Sequence, residues 1–428
     1  MKNNLKIKKA YKLWEKMLII ASCIFIIICI VFYGIRLVKY YKIYNPKIDN
    51  KEVELIRNAI LKNQTIVYEN DGLYRVSGLY IYKGKNVNNY IRYSNMLWRI
   101  IKFNNDGSLD IVLDDNINML KWNQEIKNFN ESDIYKYLNN YFYKQLSLKQ
   151  LSTTVICNDI IEDLNKITCN NIISNSYVRL LNVSEYLNSK TTESYIETGK
   201  NIWLGNRSKE FVWNINNANL SSSKPDNMYY IKPVVTIKNS TVLLSGKGTK
   251  IDPYIIDNRE TLEVGTYVKL DNDIWVIYDK FNDQYKLSLT KFISKTEKYS
   301  LNSLNYDILK EDTLAQYLNN EYYNSLSYKN KLIEADWYSG NYNHYEDVFK
   351  NVVKAKVGIL NVCDLKFSNL ENYYLMTPSN KDKMYLYSST IVDSKPNLLR
   401  QIIPTISINN LNIIEGDGTV SSPYILEV

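Results

Sequence analysis

Histidine is nearly absent from this 428-residue chain, where one residue, His344, serves the whole length. Ser-His-Asp hydrolysis would need that imidazole beside a nucleophile on a strand-to-helix elbow, and no elbow motif occurs. The run Asn341-Tyr-Asn-His-Tyr-Glu-Asp347 reads as a polar loop, so His344 is expected as a solvated surface side chain. Cysteine is nearly as sparse, with five residues. A zinc site needs three or four clustered His or Cys ligands, which are missing. Asp106, Asp110, Asp114 and Asp115 fall on an expected hairpin rather than in a patterned calcium loop, and read as solvated strand carboxylates. No catalytic set, metal site or cofactor is expected. Cys157 and Cys169 can close a short loop as a disulfide in an oxidising compartment, leaving Cys363 as a buried free thiol.

Also missing is a basic face on the folded part. The net charge is +8, but residues 1–51 hold 11 of the 53 basic residues and, of the 45 acidic ones, only Glu15 and Asp49. The rest carries 42 basic against 43 acidic residues, so nucleic acid is not an expected partner. The excess belongs to a membrane-proximal end, where anionic headgroups attract Lys and Arg. Tyrosine is abundant, with 38 copies, and accompanies many Asn, Lys and Ile residues. That set fits AT-rich codons better than an aromatic binding platform.

Residues 17–35 read MLIIASCIFIIICIVFYGI, nineteen residues without a charge. At the rise of an α-helix this is about 28 Å, close to the hydrocarbon thickness of a bilayer. Six lysines precede the run and four basic residues follow it, so the N-terminal side is the more basic and is expected in the cytoplasm. The run ends in Tyr33-Gly34-Ile35-Arg36, without a small-residue cleavage site, which favours a signal-anchor over a cleaved peptide. The expected organisation is a cytoplasmic stub (1–16), a transmembrane helix (17–35), a stalk (36–73) with an amphipathic helix near 51–62 capped by Asn50, and two repeat domains, 74–257 and 262–428. Residues 258–263 are the expected linker.

The repeat is read from six collinear blocks. Trp98-Arg-Ile answers Trp275-Val-Ile, and Tyr137-Leu-Asn-Asn answers Tyr317-Leu-Asn-Asn. Val178-Arg-Leu-Leu-Asn-Val183 matches Val357-Gly-Ile-Leu-Asn-Val362, and Ile202-Trp-Leu204 aligns with Tyr373-Tyr-Leu375. Ile231-Lys-Pro233 pairs with Ile402-Ile-Pro404, and Gly246-Lys-Gly-Thr-Lys-Ile-Asp-Pro253-Tyr with Gly416-Asp-Gly-Thr-Val-Ser-Ser-Pro423-Tyr. The order is kept at an offset of 170–180 residues, which makes a duplicated domain. Within each copy the Trp block predicts a β-hairpin, turned in the first by Asn104-Asn-Asp-Gly107. The Tyr-Leu-Asn-Asn block predicts an amphipathic helix, capped by Ser132 or Asp312. The Leu-Leu-Asn-Val stretch predicts a buried strand leading into a short helix. The Pro-bearing strands belong at an edge or begin at their proline.

Together these blocks resemble an uncharacterised tandem domain family of surface and secreted proteins in low-GC Gram-positive bacteria. Its hallmarks are Trp-Arg-Ile, a middle Trp-Leu, a Pro-Val strand and a closing Gly-Asp-Gly-Thr-x-x-x-Pro-Tyr-x-Ile/Leu. The resemblance covers about residues 74–428, although Trp275 lacks the following Arg and Tyr374 replaces the middle Trp. The element order is also similar to sulfatase-modifying-factor and C-type-lectin-like domains, but the late cysteine pair of formylglycine-generating enzymes is lacking. Ile167-Thr168-Cys169 faintly echoes a sortase nucleophile, but in sortases the histidine lies upstream, and His344 lies downstream.

The expected fold is α+β. Trp98, Arg99, Trp203 and Trp275 are the candidates for ligand contact or for structure, with core packing the default for the tryptophans. The expected function is a non-enzymatic, membrane-anchored extracellular binding or adhesion protein. Its partners would be membrane lipid, through the N-terminal helix, and an envelope glycan or protein. A structural or assembly component of the envelope is the alternative, and an exported enzyme a second one.

Overall fold

The computed structural model describes residues 54–427 apart from 257–261, 282, 368–369 and 410. The expected stub and span, residues 1–35, lie outside them, as does Asn50. Among the described residues no helix is long and apolar enough to cross a membrane.

The Trp-centred hairpins form as their alternation dictates. Met96–Phe103 pairs antiparallel with Leu109–Leu113, and Asp273–Phe281 with Gln284–Leu289. Each pair has a register shift at the same place, between Ile100 and Lys102 in one and between Ile277 and Asp279 in the other. The shift turns Lys102 opposite Asp110, and Asp279 opposite Lys286. An extra residue of this kind re-aims side chains without ending the ladder.

Each hairpin sits at the centre of a sheet. Around the first, the order runs Gly72–Val76, Leu79–Lys83, the hairpin, Pro233–Ile237, Val178–Leu180. Around the second it runs Val357–Ile359, Pro404–Asn409, the hairpin, Tyr267–Leu270, Tyr424–Leu426, Ile413–Glu415. Both prolines begin their strands, as the missing N–H requires, but the strands are interior rather than at an edge. The closing Tyr254–Ile255 runs parallel to Tyr90–Tyr93, and Tyr424–Leu426 runs parallel to Tyr267–Leu270. The fold is mixed α+β, with sheets dominant and helices few and short.

The Gly-x-Gly-Thr turns close both sheets in the same way. Gly248 (φ +77°) and Gly418 (φ +75°) accept from the amides of Tyr90 and Tyr267 at 2.8 and 3.0 Å. A Cβ on either would stand 2.5 or 2.7 Å from the ring of Tyr254 or Tyr424. The glycine and the tyrosine of the closing motif are therefore one packing unit.

Asp133–Asn140 is a helix, and the Ser132 hydroxyl caps it by accepting from the Tyr135 amide at 3.1 Å. In the second half Thr313, not Asp312, supplies the cap, accepting from Gln316. Asp312 sits at φ +57°, a turn conformation from which it does not cap. That helix continues from Leu314–Tyr317 into a π-helical stretch, Leu318–Tyr322. The first Asn of each Tyr-Leu-Asn-Asn block ties its helix to the neighbouring strand. Asn139 accepts from the amides of Tyr177 and Val178 and donates to the Val178 carbonyl. Asn319 does the same with Lys356 and Val357.

Leu-Leu-Asn-Val leads into the helix Val183–Asn188 in the first half, closed by a reciprocal Asn182–Glu185 capping box. In the second half Asn361 and Asp364 make the same reciprocal bonds, without a helix following. The helix expected near 51–62 spans Ile56–Asn63 and is no free stalk. Ile56 and Ile60 are fully buried and the Ile56 amide bonds Thr241 O at 2.9 Å. Residues 54–428 form a single compact unit, and its buried core runs through both halves. Each fully buried Leu, Ile or Phe in such a core contributes about 1.5–3 kcal/mol.

Candidate functional site

Trp98, Arg99, Trp203 and Trp275 are all buried, with exposures between 0 and 4%. The Trp98 indole N–H donates to Tyr93 O and that of Trp203 to Leu120 O, and the Trp203 ring lies 4.5 Å from that of Tyr229. Arg99 donates to Asn89 Oδ1 and Val87 O, pairs with Asp114 at 3.3 Å and stacks 3.7 Å over the Tyr90 ring. Core packing accounts for all four, and the fold leaves none at a surface able to meet a ligand. Cys157 and Cys169 are joined in a disulfide, and Cys363 is free and buried.

His344 departs from a fully solvated setting. It is half-exposed, and its Nδ1 lies 3.0 Å from the Asp133 carboxylate across the two halves, at the start of the Tyr345–Lys350 turn. Burial raises the Asp133 pKa, and His344 opposes that shift.

Asp110 is the clearest correction to the expected solvated carboxylates. It is 4% exposed and sits in a buried ion cluster. Arg179 Nη2 meets Asp110 at 2.8 Å while Nη1 and Nη2 fork onto Glu185 at 2.7 and 2.8 Å. Lys102 reaches Glu185 at 2.9 Å and Asp110 at 3.3 Å, and Thr236 donates to Asp110 at 2.7 Å. Arg179 Nε donates to Thr154 Oγ1. Two cations thus meet two carboxylates. Burial alone would raise both acids, but Arg179 and Lys102 hold Asp110 and Glu185 below the usual carboxylate range. A cleft of about 620 Å³ opens beside the cluster, edged by the disulfide.

The matching position of the second half also holds two acids, with the acid and lysine of the hairpin exchanged between strands, and one cation fewer. Asp364 takes the capping-box place of Glu185, and Asp279 and Lys286 face each other where Lys102 and Asp110 do. Gly358 stands where Arg179 stands, and Ala335 where its partner Thr154 stands. The Trp337 ring packs onto Gly358, so that a Cβ there would lie 2.5 Å from it. Lys286 Nζ is bonded to Asp336 O at 2.7 Å and lies about 5 Å from the Trp337 and Tyr338 rings. Among the described residues neither the Asp279 nor the Asp364 carboxylate has an ammonium or guanidinium within 4.0 Å, although Lys366 Nζ donates to the Asp364 backbone carbonyl at 2.8 Å. Burial pushes Asp364 up to about 6 against the pull of Lys286, and raises Asp279 too.

These carboxylates line a cleft of about 570 Å³ between the two halves. Tyr141, Phe349 and Tyr338 wall it, with ring centroids 6.2 Å (Tyr141–Phe349) and 5.1 Å (Tyr338–Phe349) apart. The Tyr141 hydroxyl is buried there beside the Asp279 carboxylate. A second, smaller cleft of about 370 Å³ also joins the halves, with Asp115, Tyr230, Tyr267 and Tyr387 in its lining and the Lys200–Glu371 pair at 3.8 Å. Neither Asp279 nor Asp364 was legible as a site residue in a single copy. The signal lay in the block alignment, where Arg179 is answered by Gly358 and a buried charge disappears. Comparison of the chain with known protein families, with curated proteins and with solved structures gives no match.

Proposed function

We propose that this chain is a membrane-anchored extracellular binding protein without catalytic activity. In this reading residues 17–35 cross the bilayer, 1–16 remain in the cytoplasm, and two copies of one domain, 74–257 and 262–428, stand outside the cell. The uncharged nineteen-residue run and its basic flanks support the anchor. The duplication is supported by the six sequence blocks and by strand pairings that recur in both halves, among them the parallel closing strand and the register shift in each hairpin. It also agrees with the resemblance to Gram-positive surface domains.

The observation that carries binding is the second-half cleft. A fold that pairs two buried acids with two cations in one half leaves two carboxylates of the other, Asp279 and Asp364, lining an aromatic-walled cleft together with Lys144, Lys280, Lys286 and Lys354. Clefts of this size with a few convergent polar groups are ordinary ligand sites. Protease treatment of intact cells should release the body and leave a short stub in the membrane. The full chain in nanodiscs should retain material from a panel of envelope glycans and peptides. A body untouched by protease, or an empty panel, would count against the reading.

An exported enzyme is the second reading, favoured by one feature: two neighbouring carboxyls raised by burial, one to about 6, suit a general acid near neutral pH. Turnover of an envelope fragment that disappears in Asp364→Asn would prefer it.

A further inference from the structure

We propose that the cleft beside the Arg179 cluster is a second ligand site and that it takes an uncharged sugar residue. This rests on the chain being an extracellular binding protein, and adds to that reading a site and a ligand class. The cleft lies in the first half where the aromatic-walled cleft lies in the second, and the correspondence runs wall by wall. Lys102, Asn104, Ser108 and Asp110 of the first hairpin line the cleft of about 620 Å³. The positions that answer them, Asp279, Phe281, Gln284 and Lys286, line the cleft of about 570 Å³. The alternate residues Thr153, Val155 and Cys157 make the next wall of the first cleft. Glu334, Asp336 and Tyr338, matched to them through Ala335 and Thr154, make that of the second. The capping-box acids Glu185 and Asp364 complete the match. The same elements thus enclose an open space twice in one chain.

The lining of the first cleft selects the ligand. Lys102, Asp110 and Glu185 belong to the ion cluster, where Arg179 and Lys102 meet both carboxylates. Asp106, the other acid of the lining, accepts from the Ser108 amide and hydroxyl at 3.0 and 2.7 Å. Asn105, Ser152, Thr153 and Asn188 line the cleft too, and among the described residues their side chains make no hydrogen bond. They are neutral donors and acceptors, which the hydroxyl groups of a sugar can pair with in either sense. Leu79, Ile81, Ile101 and Val155 supply an apolar wall for its C–H face, Val155 being 52% exposed. A phosphate or carboxylate finds no unpaired cation here, and an amine finds only Asp106, on the exposed hairpin turn. A wholly apolar ligand would take the amides and hydroxyls out of water without replacing their hydrogen bonds.

The test titrates the full chain in detergent micelles with chitotriose, cellotriose and maltotriose, uncharged sugars of different stereochemistry, and with tri-alanine as a peptide probe. At least one of the sugars is expected to bind, and tri-alanine is not. Thr153 and Glu334 are both exposed and hold matching places in the two clefts. Thr153→Trp, whose indole fills the first cleft, should remove one sugar site per chain, and Glu334→Trp should leave that site in place. Asn188→Ala, a smaller change at the exposed end of its helix, should weaken the same site about threefold or more through one lost hydrogen bond. Sugar binding that Glu334→Trp removes and that Thr153→Trp and Asn188→Ala leave whole would overturn the first-half site and keep the second-half cleft as the binding site. Tri-alanine bound at a site that Thr153→Trp removes would overturn the sugar as the ligand. No binding of any of the three sugars would overturn the proposal, while retention of other envelope material by the chain would still uphold the binding function.

Discussion

Arg179 and Gly358 occupy one position in two settings, and the contrast decides what their neighbours experience. Arg179 lies in a fully hydrogen-bonded cluster, so removing it strands Asp110 and Glu185 with Lys102 alone. Arg179→Met should cost about 3–5 kcal/mol of stability by denaturant unfolding, because breaking one side of a buried pair leaves charge uncompensated. Asp364 behaves in the opposite sense. Its folded pKa is raised, to about 6 from an ordinary 3.8, so the folded protein holds that proton more tightly than the unfolded chain. The stability this contributes is complete below about pH 3.8 and is lost as pH rises through 6. Replacing it with Asn removes the dependence. Asp364→Asn should therefore gain on the parent by about 2–3 kcal/mol between pH 4 and 7. A constant difference across that window would sink the assignment. Glu185, lowered by Arg179 and Lys102 against its burial, has the reverse sign, and its contribution disappears only as pH falls below the ordinary carboxylate range.

At the scale of elements, the periodic parts were legible and the parts fixed by distant partners were not. Alternation around Trp98 and Trp275 predicted both hairpins, and helical spacing placed Tyr137 and Leu138 on a buried face. The strand-starting prolines followed from chemistry alone. Asp110 was misread because its local setting is a hairpin strand, whereas its partners Arg179 and Thr236 come from 69 and 126 residues away. The same reason hid the candidate site: Asp279, Asp364 and Tyr141 converge only when two halves pack. The Cys157–Cys169 bridge ties a short exposed loop after the Thr154–Cys157 strand, its ends 12 residues apart in sequence. A closed loop of that length constrains the unfolded chain by about 3 kcal/mol. Reducing agent should lower the melting temperature accordingly, while Cys363 stays unreactive to thiol reagents until the protein unfolds. A melting temperature indifferent to reduction would count against the bridge.

The two halves do not behave as beads on a string, although each block set is long enough to fold alone. The Asp133–Asn140 helix of the first half lies on the Tyr345–Lys350 turn of the second, with Tyr137 meeting Tyr345 and Tyr141 meeting Phe349. Asn118 donates to both the Tyr137 hydroxyl and Cys363 O, and Lys121 N donates to the Tyr342 hydroxyl. Asp133 and His344 close the contact from the other side. All of these groups would lose a partner if the halves parted, and the fully buried Tyr137 has the Tyr345 ring of the second half 6.1 Å from its own. Separating the halves therefore costs buried apolar area and leaves Asn118, the Lys121 amide and Asp133 short of hydrogen bonds, a penalty of about 1–3 kcal/mol for each orphaned group. Melting followed by calorimetry should then give one transition for the body rather than two. Tyr137→Ala should destabilise by about 3–5 kcal/mol, as truncation of a buried aromatic does, and should shift that single transition as a whole. Two resolved transitions in the parent, or a Tyr137→Ala variant that melts the first half and leaves the second at its original temperature, would mean that the halves are energetically independent. The inter-half cleft would then lack the rigidity that a ligand site between Tyr141 and Asp279 requires.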